Sequence, residues 1–141
     1  MGHRNRVIAV TGATGRQGGA VARNLMADGW RVRALTRKPD SGRAQALAAA
    51  GAVVVAADME APHTLIPAMR GVYGVFSVQN PRIAGEEGEV RQGRNVADVA
   101  LRAGVEHIVY GSAGLGISGT GVGSWDSKLE VQAYMGRLAS P

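Results

Sequence analysis

The sequence predicts one α/β domain over residues 1–141, built on a doubly wound parallel sheet. Two observations favour this fold. Short apolar runs rich in β-branched residues alternate with segments of helical spacing, and the first apolar run ends in three glycines spaced three apart. Each parallel connection needs a crossover, and crossovers are right-handed, so we expect the strand order 3-2-1-4-5 with ligands at the carboxyl ends of the strands.

The alternating patterns assign the elements in chain order. The predicted strands are Val7 to Thr11, Arg31 to Thr36, Ala52 to Ala57, Val72 to Ser77 and Glu106 to Tyr110. The predicted helices are Gly15 to Asp28, Gly42 to Ala50, Pro62 to Met69, Glu87 to Ala103 and Trp125 to Leu138. The first strand is β-branched and apolar, as expected of a strand buried on both faces. Gly29 and Gly104 stand where the first and fourth helices would end.

The turn after the first strand predicts a phosphate-binding site. Gly12 is free to take a positive φ, Gly15 lets the backbone approach a pyrophosphate, and Gly18 lets the next helix pack tightly on the sheet. The start of that helix would point N–H groups and the positive end of its dipole at an anion. The predicted dinucleotide contacts in this turn are Gly12, Thr14, Gly15, Arg16, Gln17 and Gly18. The alternative is an ordinary strand-turn-helix without a ligand.

The end of the second strand indicates which dinucleotide binds. Folds that prefer NAD carry an acidic residue there to hold the ribose 2′-OH, but this chain has Arg37 followed by Lys38. A guanidinium pairs well with a 2′-phosphate, and Arg16 could reach the same group from the glycine turn. The sequence therefore favours NADP(H) over NAD(H). The alternative is that Arg37 and Lys38 are surface charges on a loop.

The remaining strand ends supply further candidate contacts. Asp58 and Met59 follow the third strand, where the Asp58 carboxylate either lies beside an adenine amino group or caps a turn. Ser77 and Gln79 end the fourth strand and would lie under the nicotinamide half of the cofactor. With Pro81 behind them, they would instead only shape a loop.

Composition excludes several classes of function. With 141 residues, 45% of them hydrophobic, the chain has the size of one globular domain, and its zero cysteines exclude disulfides, thiolate catalysis and cysteine-ligated zinc. No metal site is predicted. The net charge of +5 is spread along the chain and only 4% of residues are aromatic, so nucleic acid is not an expected partner. No apolar stretch reaches membrane-spanning length, and we expect a soluble, cytoplasmic protein.

Several motifs, in this order along the chain, resemble the NmrA-like family, an atypical branch of the short-chain dehydrogenase/reductase superfamily. They are TGATGRQG at 11–18, RALTR at 33–37, GVFSVQ at 74–79, EVRQGRN at 89–95, AGVEHIVY at 103–110 and WDSK at 125–128. The resemblance implies a Rossmann domain that binds NADP(H). It also implies that Arg16 and Arg37 face the 2′-phosphate, that Gln79 lies near the nicotinamide ribose, and that Lys128 reaches the ribose hydroxyls or the substrate pocket.

Two departures from that resemblance bear on catalysis. The wider superfamily has a Tyr four residues before its Lys, where this chain has Ser124 before Lys128, so the usual proton donor is missing. Lys128 is then either a site residue or a solvated helix lysine, while Ser112 could orient a carbonyl. The family also continues into a C-terminal substrate lobe, whereas this sequence stops at Pro141 and would leave its fifth strand as an edge open to a protein partner or a second copy.

The expected function is therefore NADP(H) binding. The resemblance implies that the chain would serve as a redox-responsive regulator or as the cofactor-binding part of a reductase. The alternative that the resemblance implies is an NADPH-dependent oxidoreductase that reduces quinones or similar small acceptors, and the sequence leaves open whether any turnover occurs.

Overall fold

Nine elements alternate between strand and helix in the computed structural model, which describes residues 6–78 and 81–110. The strands are β1 (Val7–Val10), β2 (Arg31–Thr36), β3 (Val53–Ala56), β4 (Gly74–Ser77) and β5 (His107–Tyr110). The helices are α1 (Arg16–Ala27), α2 (Gly42–Ala49), α3 (Pro62–Ala68) and α4 (Pro81–Arg102). The predicted helix from Trp125 to Leu138 lies outside the described residues.

The five strands form one sheet in the order β3-β2-β1-β4-β5, and every pairing between neighbours is parallel. This arrangement confirms the predicted fold class and strand order. The chain order reverses between β1 and β4, where Val10 pairs with both Ala34 of β2 and Phe76 of β4. In open α/β sheets, ligands bind in the crevice at such a reversal, on the side of the strand carboxyl ends.

Helices cover the two faces of the sheet in pairs. On one face, Leu65 and Met69 from α3 and its end pack with Val96 of α4. On the other face, Ala22 of α1 and Leu47 of α2 form a second core. Side chains alternate along β1, so Ala9 belongs to the first core and Val10 to the second, and both are fully buried. This division explains why β1 has no polar side chain.

One predicted boundary is wrong by six residues. The fourth helix begins at Pro81 rather than Glu87, because proline is well suited to the first helical position, where its missing N–H costs nothing. The predicted start rested on Glu86, Glu87 and Glu89, because acidic residues favour a helix N-terminus. These residues lie beyond the first turn of α4, which contains no acidic residue. The other described helices and strands agree with prediction to within two residues at each end.

A buried threonine joins the ends of the two central strands. The Thr11 hydroxyl donates to the Val78 carbonyl at 2.9 Å and accepts from the Val78 N–H at 2.7 Å, while the Thr11 N–H donates to the Phe76 carbonyl at 3.0 Å. Thr11 is only 1% exposed, so water cannot replace these bonds. The hydroxyl thereby fixes the point at which β1 and β4 leave the sheet.

An apolar groove of about 660 Å³ lies on the α1 face of the sheet. Its lining includes Leu25 of α1, Trp30, Tyr73 and Val109 of β5. Trp30 and Tyr73 stack with ring centroids 5.8 Å apart, and Val109 is 55% exposed. No helix in residues 6–78 or 81–110 is both long and apolar enough to span a bilayer.

Replacing Thr11 tests the junction between β1 and β4. We expect Thr11→Val to lower the free energy of unfolding by about 2–4 kcal/mol, because it leaves a buried N–H and a buried carbonyl at Val78 without their partner. Thr11→Ser is the matched control, since it keeps the hydroxyl and removes only a methyl group. Urea titration followed by circular dichroism measures both. Equal stability of the two variants would contradict this role.

Candidate functional site

The glycine turn forms a tight loop between β1 and α1. Gly12 has a φ of +58°, a left-handed conformation that favours glycine. The Gly15 N–H donates to the Gly12 carbonyl at 2.9 Å and closes the turn. A Cβ on Gly12 would also lie 3.1 Å from the Val78 carbonyl oxygen, so the turn packs against the end of β4. This confirms the expectation of positive φ at Gly12.

Gly18 brings the first turn of α1 against the preceding backbone. A Cβ at this position would overlap the Gly12 carbonyl oxygen and would lie 2.7 Å from the Gly12 carbonyl carbon and 3.0 Å from the Thr11 carbonyl oxygen. We expected this glycine to permit close packing of the helix on the sheet. In the structure the close contact is with the glycine turn itself and the last residue before it, so Gly18 sets the position of the helix start.

The start of α1 has the properties of an anion site. No side chain caps it, and its first turn contains no acidic residue. The N–H groups of Arg16, Gln17 and Gly18 have no partner within the helix, because the first turn of any α-helix lacks preceding carbonyls. These donors and the helix dipole face the carboxyl edge of the sheet. Together with the backbone of the turn at residues 12–18, which we call the glycine cradle and which Gly18 lets the helix start approach closely, these donors fit a pyrophosphate.

Two further predicted contacts flank this turn. Thr14 is half-buried and Gln17 is exposed at the helix start. Arg16 is the first residue of α1, but its side chain lies outside the described part of the structure. Its assignment to the 2′-phosphate therefore stays a prediction.

Basic side chains lie at the same edge of the sheet as the glycine turn. Arg37 and Lys38 are both exposed directly after β2, and the Lys38 N–H donates to the Thr36 hydroxyl at 3.1 Å. Arg43, in the first turn of α2, donates from Nη1 to the Thr14 carbonyl at 3.2 Å. Arg43 was not among the residues that the sequence predicted for this site. The signal that could have found it is its place in the first turn of a helix that follows Arg37 and Lys38.

Arg33 belongs to the same basic stretch of sequence but has a different role. Its Nη1 donates to the carbonyls of Ala68 at 2.8 Å and Arg70 at 2.9 Å. These carbonyls lie at the end of α3, where a positive charge also offsets the helix dipole. Arg33 therefore stabilises α3 and is no part of the edge beside the glycine turn.

The loop between β3 and α3 contains the predicted adenine-side contacts. The Asp58 carboxylate accepts from the Glu60 N–H at 2.8 Å, and the Asp58 N–H donates to the Thr64 hydroxyl at 2.8 Å. The turn-forming role, one of the two alternatives for Asp58, is therefore present, and contact with adenine stays a prediction. Met59 is half-buried, and its carbonyl accepts from the Asn95 amide of α4 at 2.8 Å.

Glu60 ties the same loop to α4. Arg91 donates to its carboxylate from Nε at 2.6 Å and from Nη2 at 2.9 Å, and the Gln92 amide donates at 3.0 Å. The hydrogen bond from Arg91 holds the pKa of Glu60 below its usual value. Burial opposes this shift, while Gln92 and the charges of Arg91 and Arg37 add to it. Sequence reasoning missed all of these contacts, because they join residues about thirty positions apart.

The other predicted site residues are not assembled by the described part of the chain. Ser77 is fully buried at the end of β4, between the ends of β1 and β5. Its proposed place under the nicotinamide stays a prediction. Gln79, Ser112 and Lys128 lie outside the described residues.

Comparisons with known proteins agree with this geometry. The family model described as the NmrA-like family matches residues 4–141. The chain is 37% identical to the NmrA-like family domain-containing oxidoreductase FrzB of Cladobotryum sp, over 95% of this chain and 43% of FrzB. It is 39% identical to the corresponding oxidoreductase himF of Aspergillus japonicus, over 90% of this chain and 41% of himF.

Solved structures show the same fold. The NADPH-dependent quinone oxidoreductase of Escherichia coli, complexed with NADPH, matches with a TM-score of 0.79 and 32% identity, over 94% of this chain and 45% of that one. NmrA, a negative transcriptional regulator in complex with NADP, matches with a TM-score of 0.81 and 28% identity, over 99% of this chain and 44% of that one. The chain thus spans less than half the length of the relatives it matches here. The family match over residues 4–141, the ordered motifs and the shared fold show that this chain belongs to the NmrA-like family.

Proposed function

We propose that the chain binds NADP(H) at the carboxyl edge of its sheet, as a redox-responsive regulator or as the cofactor-binding part of a reductase. The observation that carries this proposal is the glycine cradle in front of an uncapped helix, flanked by two cationic side chains. The cradle and the first-turn N–H groups suit the pyrophosphate. Two solved structures that this chain resembles contain NADP and NADPH, which supports the same ligand here.

The choice of NADP(H) over NAD(H) rests on Arg37 and Arg43. Arg37 is exposed at the end of β2, where sites that prefer NAD carry an acidic residue. Arg43 of α2 donates to the Thr14 carbonyl of the glycine turn at the same edge. A 2′-phosphate carries close to two negative charges and is recognised well by guanidinium groups. Lys38 adds a third exposed cation beside them.

The second candidate function is reduction of quinones or similar small acceptors. It is favoured by the oxidoreductase relatives, which include the Escherichia coli quinone oxidoreductase. Bound NADPH would supply the hydride in such a reaction. Lys128 and Ser112 are the residues we propose to orient an acceptor. Ser124 occupies the position of the superfamily's usual phenol, so proton transfer would need another donor.

A dinucleotide titration tests the proposal. We expect NADPH to bind at least about tenfold more tightly than NADH, because one charge-assisted contact to the 2′-phosphate is worth about 1.5–3 kcal/mol. Quenching of tryptophan fluorescence measures both affinities. Equal affinities would contradict the cofactor choice. Adding a panel of quinones to the NADPH complex then separates binding from turnover, since only a reductase would consume the NADPH.

Arg37→Ala tests the side chain that carries the cofactor choice. We expect it to weaken NADPH binding by about tenfold or more and to leave NADH binding nearly unchanged, since only NADPH carries the 2′-phosphate. Arg31→Ala is the matched control. Arg31 is exposed at the start of the same strand, so the control substitution removes an equal charge from the opposite edge of the sheet. An equal loss for both dinucleotides in Arg37→Ala would disprove the assignment.

Gly18→Ala tests the cradle. We expect it to abolish measurable binding of both dinucleotides and to lower stability by about 1–3 kcal/mol or more, because the added methyl overlaps backbone atoms. Gly42→Ala is the control. Gly42 is the first residue of α2, and a Cβ added there would meet nothing within 4 Å. Isothermal calorimetry and thermal melting measure the pair. A Gly18→Ala protein that binds NADPH normally would rule out the cradle.

A further inference from the structure

We propose that Arg91 of α4 is a specificity-determining residue, which favours NADP(H) by holding the Glu60 carboxylate away from Arg37. This inference rests on the proposed function, because it concerns how Arg37 stays available to a 2′-phosphate. Arg91 belongs to the EVRQGRN motif at 89–95, to which the proposed site otherwise assigns no role. It acts through Glu60 and has no proposed contact with the dinucleotide.

Sheet topology brings Arg37 and Glu60 to the same edge. Arg37 directly follows β2, and Glu60 lies in the loop after the neighbouring strand β3. The two strands are in register to their ends, where the Ala57 N–H donates to the Thr36 carbonyl at 3.0 Å. The positive charge of Arg37 also contributes to the lowered pKa of Glu60, so the two groups interact electrostatically.

An unrestrained carboxylate at this edge would oppose binding of a 2′-phosphate in two ways. It would repel the phosphate directly, and it would compete for the Arg37 guanidinium. It would also suit an unphosphorylated ribose, since carboxylates accept hydrogen bonds from a 2′-OH in sites that prefer NAD. Glu60 therefore has the wrong charge for NADP(H) unless another group engages it.

Arg91 provides that engagement. Its Nε and Nη2 donate to the two different carboxylate oxygens of Glu60, a bidentate arrangement that fixes the plane of the carboxylate. Gln92 donates to one of the same oxygens. The carboxylate is thus oriented toward α4, and its charge is balanced there. Lysine at position 91 could not form the same pair of bonds, because an ammonium is a point charge.

The contact adds little to overall stability. The side chains of Arg91 and Glu60 are 56% and 33% exposed, and solvated ion pairs of this kind contribute little to folding. Substitutions at either position should therefore leave a folded protein whose cofactor preference is measurable. A purely structural role, in which Arg91 only fastens α4 to the β3–α3 loop, predicts a different result: equal weakening of both dinucleotides.

The experiment measures dissociation constants for NADPH and NADH in Arg91→Ala, Glu60→Gln and the double variant. We expect Arg91→Ala to reduce the preference for NADPH by about three- to tenfold, mainly through weaker NADPH binding. Glu60→Gln alone should keep or increase the preference, because it removes the competing charge. The double variant should regain the wild-type preference to within about twofold. Arg91→Gln repeats the test with a longer neutral side chain in case Arg91→Ala folds poorly.

The outcomes distinguish this inference from the proposed function. A wild-type protein that binds NADPH and NADH equally would overturn the proposed function itself. A wild-type protein that prefers NADPH, with that preference unchanged in Arg91→Ala and Arg91→Gln, would overturn only the role of Arg91. Failure of Glu60→Gln to restore the preference in the double variant would also overturn it, because the effect of Arg91 would then not pass through Glu60.

Discussion

The close approach of α1 to the end of β1 is the constraint on which the candidate site depends. It requires position 18 to lack a side chain, because a Cβ there would overlap the Gly12 carbonyl. The helix start is thereby placed at the carboxyl edge of the sheet, at the reversal of strand order. Neighbouring elements are then attached to this turn. Thr11 ties it to the end of β4, and Arg43 ties it to α2 through the Thr14 carbonyl. The anion site is therefore built from backbone whose geometry several elements fix together.

The position of each arginine relative to its strand decides what it does. Arg33 lies inside β2, so its side chain stands over a face of the sheet and reaches the end of α3. Arg37 follows the last residue of the same strand and is exposed at the edge. Arg33 and Arg37 are only four positions apart in one motif, yet the first has a structural role and the second a proposed binding role. Charge density along the sequence does not distinguish the two, whereas the end of the strand does.

The sequence was sufficient to predict the strand order, the glycine turn and positive φ at Gly12, because those features follow from local patterns and from the handedness of crossovers. It was not sufficient for the contacts that organise the rest of the site. Glu60 meets Arg91 across 31 positions, and Asn95 meets Met59 across 36. Such pairs depend on how α3 and α4 lie on one face of the sheet, which periodicity does not specify. The start of α4 at Pro81 was missed because the acidic residues further along gave a stronger helix-start signal.

Helix α4 runs between the two predicted halves of the candidate site. It has 22 residues and begins at Pro81. Val78, three residues earlier, accepts and donates hydrogen bonds with the Thr11 hydroxyl and lies at the predicted nicotinamide side. Arg91, ten residues after Pro81, contacts the loop on the predicted adenine side. At the rise of an α-helix, Pro81 and Arg91 lie about 15 Å apart along the helix axis. A helix is stiff over that length, so the spacing between Pro81 and the β3–α3 loop is set by one element. The EVRQGRN motif therefore lies where α4 can hold the β3–α3 loop at a fixed distance from Pro81.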